Sequence, residues 1–371
     1  MTTVVAALED ANSKLVATGI GKGGGAHSIA SAVFEALENY YLQWPADGSA
    51  TGTFSWSSAT ELAAQPALRH DRLLQRWAAS RPAAVTYCAQ FMPPGGGGPW
   101  LYPLFLSLPN YYLSPMPGDD WTNFPGYTRY SSGIGTAAGV SATECVLRAV
   151  SELIEHDAIS HALLRWFLLD DQRRIAIARN SLSRGLARVV DHVEEKVGSI
   201  RILDITTDLR VPVVLAVPVD QFYGEPCYGV GASLDPGNAV RRAVLELLQK
   251  WWIAILRPRN YSPAERLAPW PRLAACARLD MSGFPDAETA PLPSPVLRGA
   301  SATELLATIS KLLSGHGIEY AMRTLTPQAS SITVTTVIAP GLDRFSLVQR
   351  GVPATPTGRA YKLWEEAGKP R

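Results

Sequence analysis

The chain has 371 residues, of which 47% are hydrophobic, and a formal net charge of +1. That length and apolar content allow a large buried core and leave room for two domains, while the balanced charge without basic clusters argues against nucleic acid as the main partner. No apolar run reaches about 18 residues, so nothing reads as a membrane span. The start, Met1-Thr2-Thr3-Val4-Val5 with Glu9 and Asp10 close behind, lacks the basic and apolar regions of a signal peptide, and a cytoplasmic protein is expected.

In chain order, the first recognisable element is the Gly-rich run Gly21-Lys22-Gly23-Gly24-Gly25, read as a loop that opens a helix. That helix carries Ser28, Ser31, Glu35 and Glu38 on one side and Val33, Leu37 and Tyr40 on the other. Strand-like apolar runs follow at Ala84 to Phe91 and Leu101 to Leu108, with Pro93 to Pro99 between them as a flexible loop rather than a phosphate cradle. After the punctuated stretch from Pro109 to Pro125, a second Gly-Ala-rich run, Ser131 to Gly139, leads into another helix. This one bears Glu144, Glu152 and Glu155, opposite Val146, Val150, Leu153 and Ile154. Further strands are expected at Ile200 to Ile205 and Val211 to Val217. A third run, Gly229-Val230-Gly231-Ala232, precedes a helix with Arg242, Glu246 and Gln249 opposite Val240, Val244, Leu247 and Trp251. Pro258 to Pro295 reads as a Pro-rich surface insertion, and the last strands are expected at Ile318 to Leu325 and Thr333 to Ile338. Alternating strands and helices without a linker predict an α/β class, an α+β sandwich of sheets backed by helices, as one domain over 1–371.

The three helices share a design. At about 100° per residue, the polar set of each falls within an arc of roughly 80°. A solvated surface gives the same pattern, and Arg148 between Glu144 and Glu152 at i,i+4 spacing would suit it. Three such stripes with little lysine instead suggest carboxylates compensated by a cation. Mg²⁺ takes oxygen ligands and bridges carboxylates to nucleotide phosphates. Glu144 and Glu155 would lie about 16 Å apart along one helix and cannot share an ion, whereas Glu35 and Glu38, about 4.5 Å apart in rise, can. More than one metal along a polyphosphate is the economical picture. Other chemistry is poorly supported. Gly21-Lys22 is followed by Gly23 rather than Ser or Thr, so there is no P-loop. Cys88, Cys145, Cys227 and Cys276 are scattered and read as reduced, buried thiols. His156 and His161 are not on one helical face, and Trp251-Trp252 reads as core packing of the third helix.

The same segments resemble the YcaO-domain family. Gly135-x-Ala137-x-Gly139, then Glu144, then Ser151-Glu152-Leu153-Ile154-Glu155-His156-Asp157-Ala158 is similar to its central signature. Ser31 to Tyr40 with Glu35-Ala36-Leu37-Glu38 resembles the first block. Gly229-x-Gly231-Ala232 through Asp235-Pro236, Arg242-Ala243 and Glu246-x-x-Gln249 resembles the third. Pro340-Gly341-Leu342 matches a late landmark, so the resemblance runs from about residue 20 to 345 with its blocks in order. Asn39 and His156 stand where the family has Arg, Ser233 stands where it has His, and no Pro-x-Pro-x-Pro tail is present.

The resemblance implies ATP-dependent modification of a peptide backbone amide. Phosphorylating the amide oxygen turns it into a leaving group, so that a Cys, Ser or Thr side chain can close an azoline ring. Alternatives are thioamide or amidine formation, and a non-catalytic scaffold that binds a precursor. Mg·ATP would be held by Glu35, Glu38, Glu144, Glu152 and Glu155 as metal ligands, with Lys22, Ser31, Arg242, Glu246 and Gln249 facing the nucleotide. The implied substrate is a ribosomal precursor peptide in bacteriocin maturation, the implied partner an E1-like or TfuA-like leader-binding protein, and a homodimer is compatible.

Overall fold

A strand rich in glycine or alanine precedes each of the three acid-bearing helices. This computed structural model describes residues 2–43, 52–119, 126–220, 227–256, 262–281, 283–295, 297, 299–327 and 330–368. The strands are β1 (Thr2–Glu9), β2 (Leu15–Gly23), β3 (Phe54–Ser58), β4 (Val85–Phe91), β5 (Trp100–Pro103), β6 (Thr136–Gly139) and β7 (Ile175–Ile177). They continue with β8 (Ile200–Asp204), β9 (Val213–Pro218), β10 (Gly229–Ala232), β11 (Glu288–Ala290), β12 (Ala321–Thr324) and β13 (Thr333–Ile338). The helices are α1 (Ala26–Tyr41), α2 (Ala59–Ala64), α3 (Arg72–Ser80), α4 (Leu104–Ser107), α5 (Ala142–Leu163) and α6 (Arg184–Val197). After them come α7 (Pro236–Leu256), α8 (Pro263–Arg266), α9 (Pro271–Arg278), α10 (Ala302–Gly315) and α11 (Ala360–Glu366).

The chain clusters into two compact units, one of residues 1–153 and 313–342, the other of 154–312 and 343–371. The first holds a β1-β2 hairpin and two antiparallel sheets, β3-β4-β5 and β12-β13-β6. Its core is aromatic, with Trp77, Phe91, Tyr102, Phe105 and Tyr111 buried. The second holds a sheet of order β10-β9-β8-β7-β11, antiparallel except for the parallel edge pair β7–β11. Against it α6 and α7 bury Val190, Val193, Val240, Val244 and Leu247, each such side chain contributing about 1.5–3 kcal/mol. Sheets backed by helices are thus the α+β arrangement expected from sequence. No described helix is long and apolar enough to cross a membrane.

Part of each Gly-rich run expected as a loop belongs to a strand. Gly21 to Gly23 end β2, Thr136–Gly139 is β6 and Gly229–Ala232 is β10. Alternate glycines let the following helix sit directly on the strand. A Cβ on Gly21 would lie 1.8 Å from the Ser28 carbonyl oxygen of α1, and one on Gly229 would lie 1.9 Å from that of Ala243 in α7. The same crowding corrects the buried face of α1. Ser28, Ala32 and Ala36 are buried, while Val33 and Tyr40, expected inside, are 36% and 44% exposed. Only small side chains fit above a glycine floor. On α5 and α7 the expected apolar faces are buried, including Val146, Val150, Ile154, Val240, Val244 and Leu247.

Leu101 to Leu108, expected as one strand, divides into β5 and the single turn α4 at Pro103. Its Leu104, Phe105 and Leu106 are all buried, so no period distinguished turn from strand. Within Pro258 to Pro295, the described part forms α8, α9 and β11, with Leu267 and Cys276 fully buried. Residues 258–261, 282 and 120–125 of the punctuated stretches lie outside the described residues.

Candidate functional site

Two of the three acid-bearing helices, α1 and α5, are anchored to backbone N–H groups by their own glutamates. In the first unit Glu38 Oε1 accepts the backbone N–H of Ala138 in β6 at 2.7 Å. Arg148 Nη1 donates to the carbonyl oxygen of that same Ala138 at 3.4 Å. Glu152 Oε2 accepts the N–H of Gly135 at 3.1 Å. In the second unit Glu155 Oε1 accepts the N–H of Ala232 in β10 at 2.8 Å and pairs with Arg242 Nη2 at 2.8 Å. The signature acids therefore spend carboxylate oxygens on backbone donors, which fixes their positions.

Electrostatics separate Glu38 from a solvated surface glutamate. Burial, with a smaller push from neighbouring Glu35, holds Glu38 up at about 7 against the opposing pull of the Ala138 N–H and Arg148. A half-buried carboxyl beside a second carboxylate is a poor place for charge without a cation. The donor set is all carboxylate oxygen, which suits a hard divalent ion. Ser31 and Lys22 are half-buried on α1 and β2 of the same unit. Glu144, at the start of α5, is exposed, with its own N–H 3.5 Å from the Ser141 hydroxyl. Among the described residues, no three His, Cys, Asp or Glu side chains form a cluster able to hold a metal.

In the second unit Arg242, Glu246 and Gln249 lie on one flank of α7. Glu246 pairs with Lys250 at 2.8 Å, and Lys250 also sits 3.8 Å above the Tyr228 ring. Gln249 is buried. His156, in the family's Arg position, is forced down to about 3 by burial, with Arg350 and Lys250 adding repulsion. It is a neutral ring whose Nδ1 lies 2.9 Å from the Ser346 hydroxyl. All four cysteines are buried free thiols.

Sequence reasoning missed a polar network around Asp157. Asp157 and Asp343 are fully or nearly fully buried, and Arg359 Nε lies 3.2 Å from Asp157 Oδ2. One signal was available: Asp157 lies seven residues after Val150 and three after Ile154, on the apolar face of α5. An acid in that phase needs a partner.

A family model for the YcaO cyclodehydratases, ATP- and Mg²⁺-binding, matches residues 20–343. A protein from Rhizobium leguminosarum bv. trifolii, known as an uncharacterized protein in the tfuA 3′ region, is 30% identical over 237 residues, or 59% of this chain and 54% of its own. A heterocyclase in complex with substrate and cofactor is similar in structure with a TM-score of 0.65 and 20% identity, covering 91% of this chain and 49% of that one. YcaO from Methanopyrus kandleri bound with AMPPCP and Mg²⁺ gives 0.64 and 19%, covering 95% and 86%. The chain spans about half the length of the first two of these proteins, and the structural likenesses show a shared fold. With the matched span reaching through most of both units, the chain belongs to the YcaO family.

Proposed function

We propose that this protein is an ATP-dependent enzyme that modifies a backbone amide of a ribosomally made peptide, forming an azoline from Cys, Ser or Thr. The observation that carries this reading is the anchoring of Glu38, Glu152 and Glu155 on backbone N–H groups of the strand segments beside their helices. Intact, preorganised acids oppose the alternative of a scaffold without turnover. Glu35, Glu38, Glu144, Glu152 and Glu155 are the proposed Mg²⁺ ligands, and Lys22, Ser31, Arg242, Glu246 and Gln249 the proposed nucleotide contacts. Bound Mg·ATP supplies the phosphoryl group that makes the amide oxygen a leaving group.

The residues divide the remaining work. Glu155 is buried and orients Arg242, whose side chain stays 41% exposed and can donate to a transferring phosphoryl oxygen. Glu246 neutralises Lys250 on the same flank, leaving Gln249 as an uncharged donor beside it. Expected partners are a leader-binding protein and a bacteriocin precursor in the cytoplasm. A second reading, thioamide formation with a TfuA-like partner, is favoured by the relative from the tfuA region.

Mass spectrometry of a co-expressed precursor tests the reading. Loss of one water per modified residue is expected. Exchange of oxygen for sulfur would replace azoline by thioamide formation, and an unaltered precursor in the presence of its leader-binding partner would sink both.

A further inference from the structure

The turn of α5 that follows Glu155 is stapled to the segment 343–359 of the same unit. Asp157 Oδ1 accepts the N–H of Asp343 at 3.0 Å, and Arg359 Nε lies 3.2 Å from Asp157 Oδ2. Arg359 also donates to His161 Nε2 at 3.2 Å and pairs with Asp208. Asp343 accepts from Phe345 at 2.7 Å, Thr357 at 3.1 Å and Gly358 at 2.8 Å, which holds the loop that presents Arg359. Ser160 takes the N–H of Ser346 at 2.8 Å while donating to the His156 carbonyl at 2.6 Å. The Arg359 guanidinium is the positive charge that opposes the cost of burying this acid.

We propose that Arg359 is a positioning residue for Glu155, acting through Asp157 to fix the rotation and height of α5. The inference rests on the proposed role of Glu155 in nucleotide binding. Its mechanical basis is simple. Glu155 Oε1 reaches Ala232 N–H and Arg242, each at 2.8 Å. One residue of helix slip moves a side chain by about 1.5 Å in rise and about 100° in direction, enough to break both contacts. A buried Asp157 charge is tolerated only while its partner is present, so the helix settles where the Asp157–Arg359 contact is made. Arg359 touches three groups at once with a planar fork, which lysine cannot reproduce.

The test uses Arg359→Lys, together with the double variant Asp157→Asn/Arg359→Met, which leaves no orphaned charge if the first fails to fold. Amide hydrogen exchange in ligand-free protein is read at Ala232, the donor to Glu155, and at Leu215 in β9. In the folded variant, exchange at Ala232 is expected to rise about tenfold with Leu215 unchanged. Calorimetric affinity for a non-hydrolysable ATP analogue with Mg²⁺ is expected to fall about tenfold, as for other partners that orient a ligand. Wild-type exchange at Ala232 in a folded variant overturns the proposal, as does an equal rise at Leu215, which marks general loosening. Glu155→Gln keeps the two readings apart. If it binds the analogue like the wild type, the nucleotide role of Glu155 fails, while the exchange result still decides on Arg359.

Discussion

At the scale of single residues, the network around Asp157 makes a signed prediction about pH. Burial, helped by Arg359 and Arg165, holds His161 down at about 4, while Asp343 and Asp208 pull the other way. Its ring stands 3.8 Å from Asp157 and accepts a hydrogen bond from Arg359, so the neutral form is the one that fits. A histidine depressed on folding stabilises fully above its unfolded value of 6.5, and that contribution is lost as pH falls toward about 4. Asp157 runs the other way. Burial lifts it to about 6, so its contribution grows as pH falls through that value. The two partly cancel in the wild type, and the informative quantity is a difference. His161→Gln is expected to keep a nearly constant urea midpoint offset above pH 7 and to gain on the wild type between pH 6 and 4. A parallel pair of curves across that range would show that His161 is not held neutral. The neighbouring His156, also neutral, means that positive charge near this turn comes from Lys250 and Arg350 rather than from the family's usual Arg position.

At the scale of elements, the polar flanks of the long helices were readable because helical phase is a strong signal. The polar flanks of α5 and α7, with Glu152, Glu155, Arg242 and Gln249, follow directly from counting residues. The strands beneath them were not readable, because Gly229-Val230-Gly231-Ala232 has the composition of a loop and its meaning lies in contact with α7. The face of α1 was misassigned for the same reason: a glycine floor selects Ala32 and Ala36 over Val33 and Tyr40. Asp157 was legible only as an acid in an apolar phase, since its partners Asp343 and Arg359 are about 200 residues away in sequence. These close βα contacts predict a sharp steric response. Gly229→Ala places a methyl 1.9 Å from the Ala243 oxygen and 2.4 Å from the Leu247 nitrogen, both backbone atoms that cannot rotate away. Destabilisation of about 3 kcal/mol is expected, at the upper end for overpacking. Gly185→Ala meets nothing within 4 Å and sits in the first turn of α6, so it is the matched control. Equal urea midpoints for the two variants would refute close packing of β10 on α7.

At the scale of the whole molecule, the final segment is two things in succession. Residues 343–359 are woven into the second unit, with Phe345, Val348, Ala354 and Thr357 buried and Arg359 closing the Asp157 network. Beyond them α11 is largely a surface helix. Lys362 and Glu366 pair at 3.8 Å with side chains 77% and 61% exposed, an arrangement that contributes little. Tyr361 and Trp364 stack edge to face at 5.5 Å on the same helix. Gly368 is exposed, and residues 369–371 lie outside the described residues. Tolerance to truncation follows burial and backbone bonding rather than distance from the end. Deleting 368–371 is therefore expected to leave ATP turnover within about threefold of the full chain. Deleting 358–371 removes the Gly358 donor to Asp343 and the Arg359 partner of Asp157. It leaves the buried Asp157 carboxyl without its cation and Asp343 one donor short, a loss of about 3–5 kcal/mol for a broken buried pair, which should abolish soluble folded protein. Circular dichroism with steady-state ATPase assays on both truncations separates the cases. A folded, fully active 1–357 chain would show that the buried network is dispensable. Loss of turnover by orders of magnitude in a folded 1–367 chain would instead show that the last four residues serve the reaction.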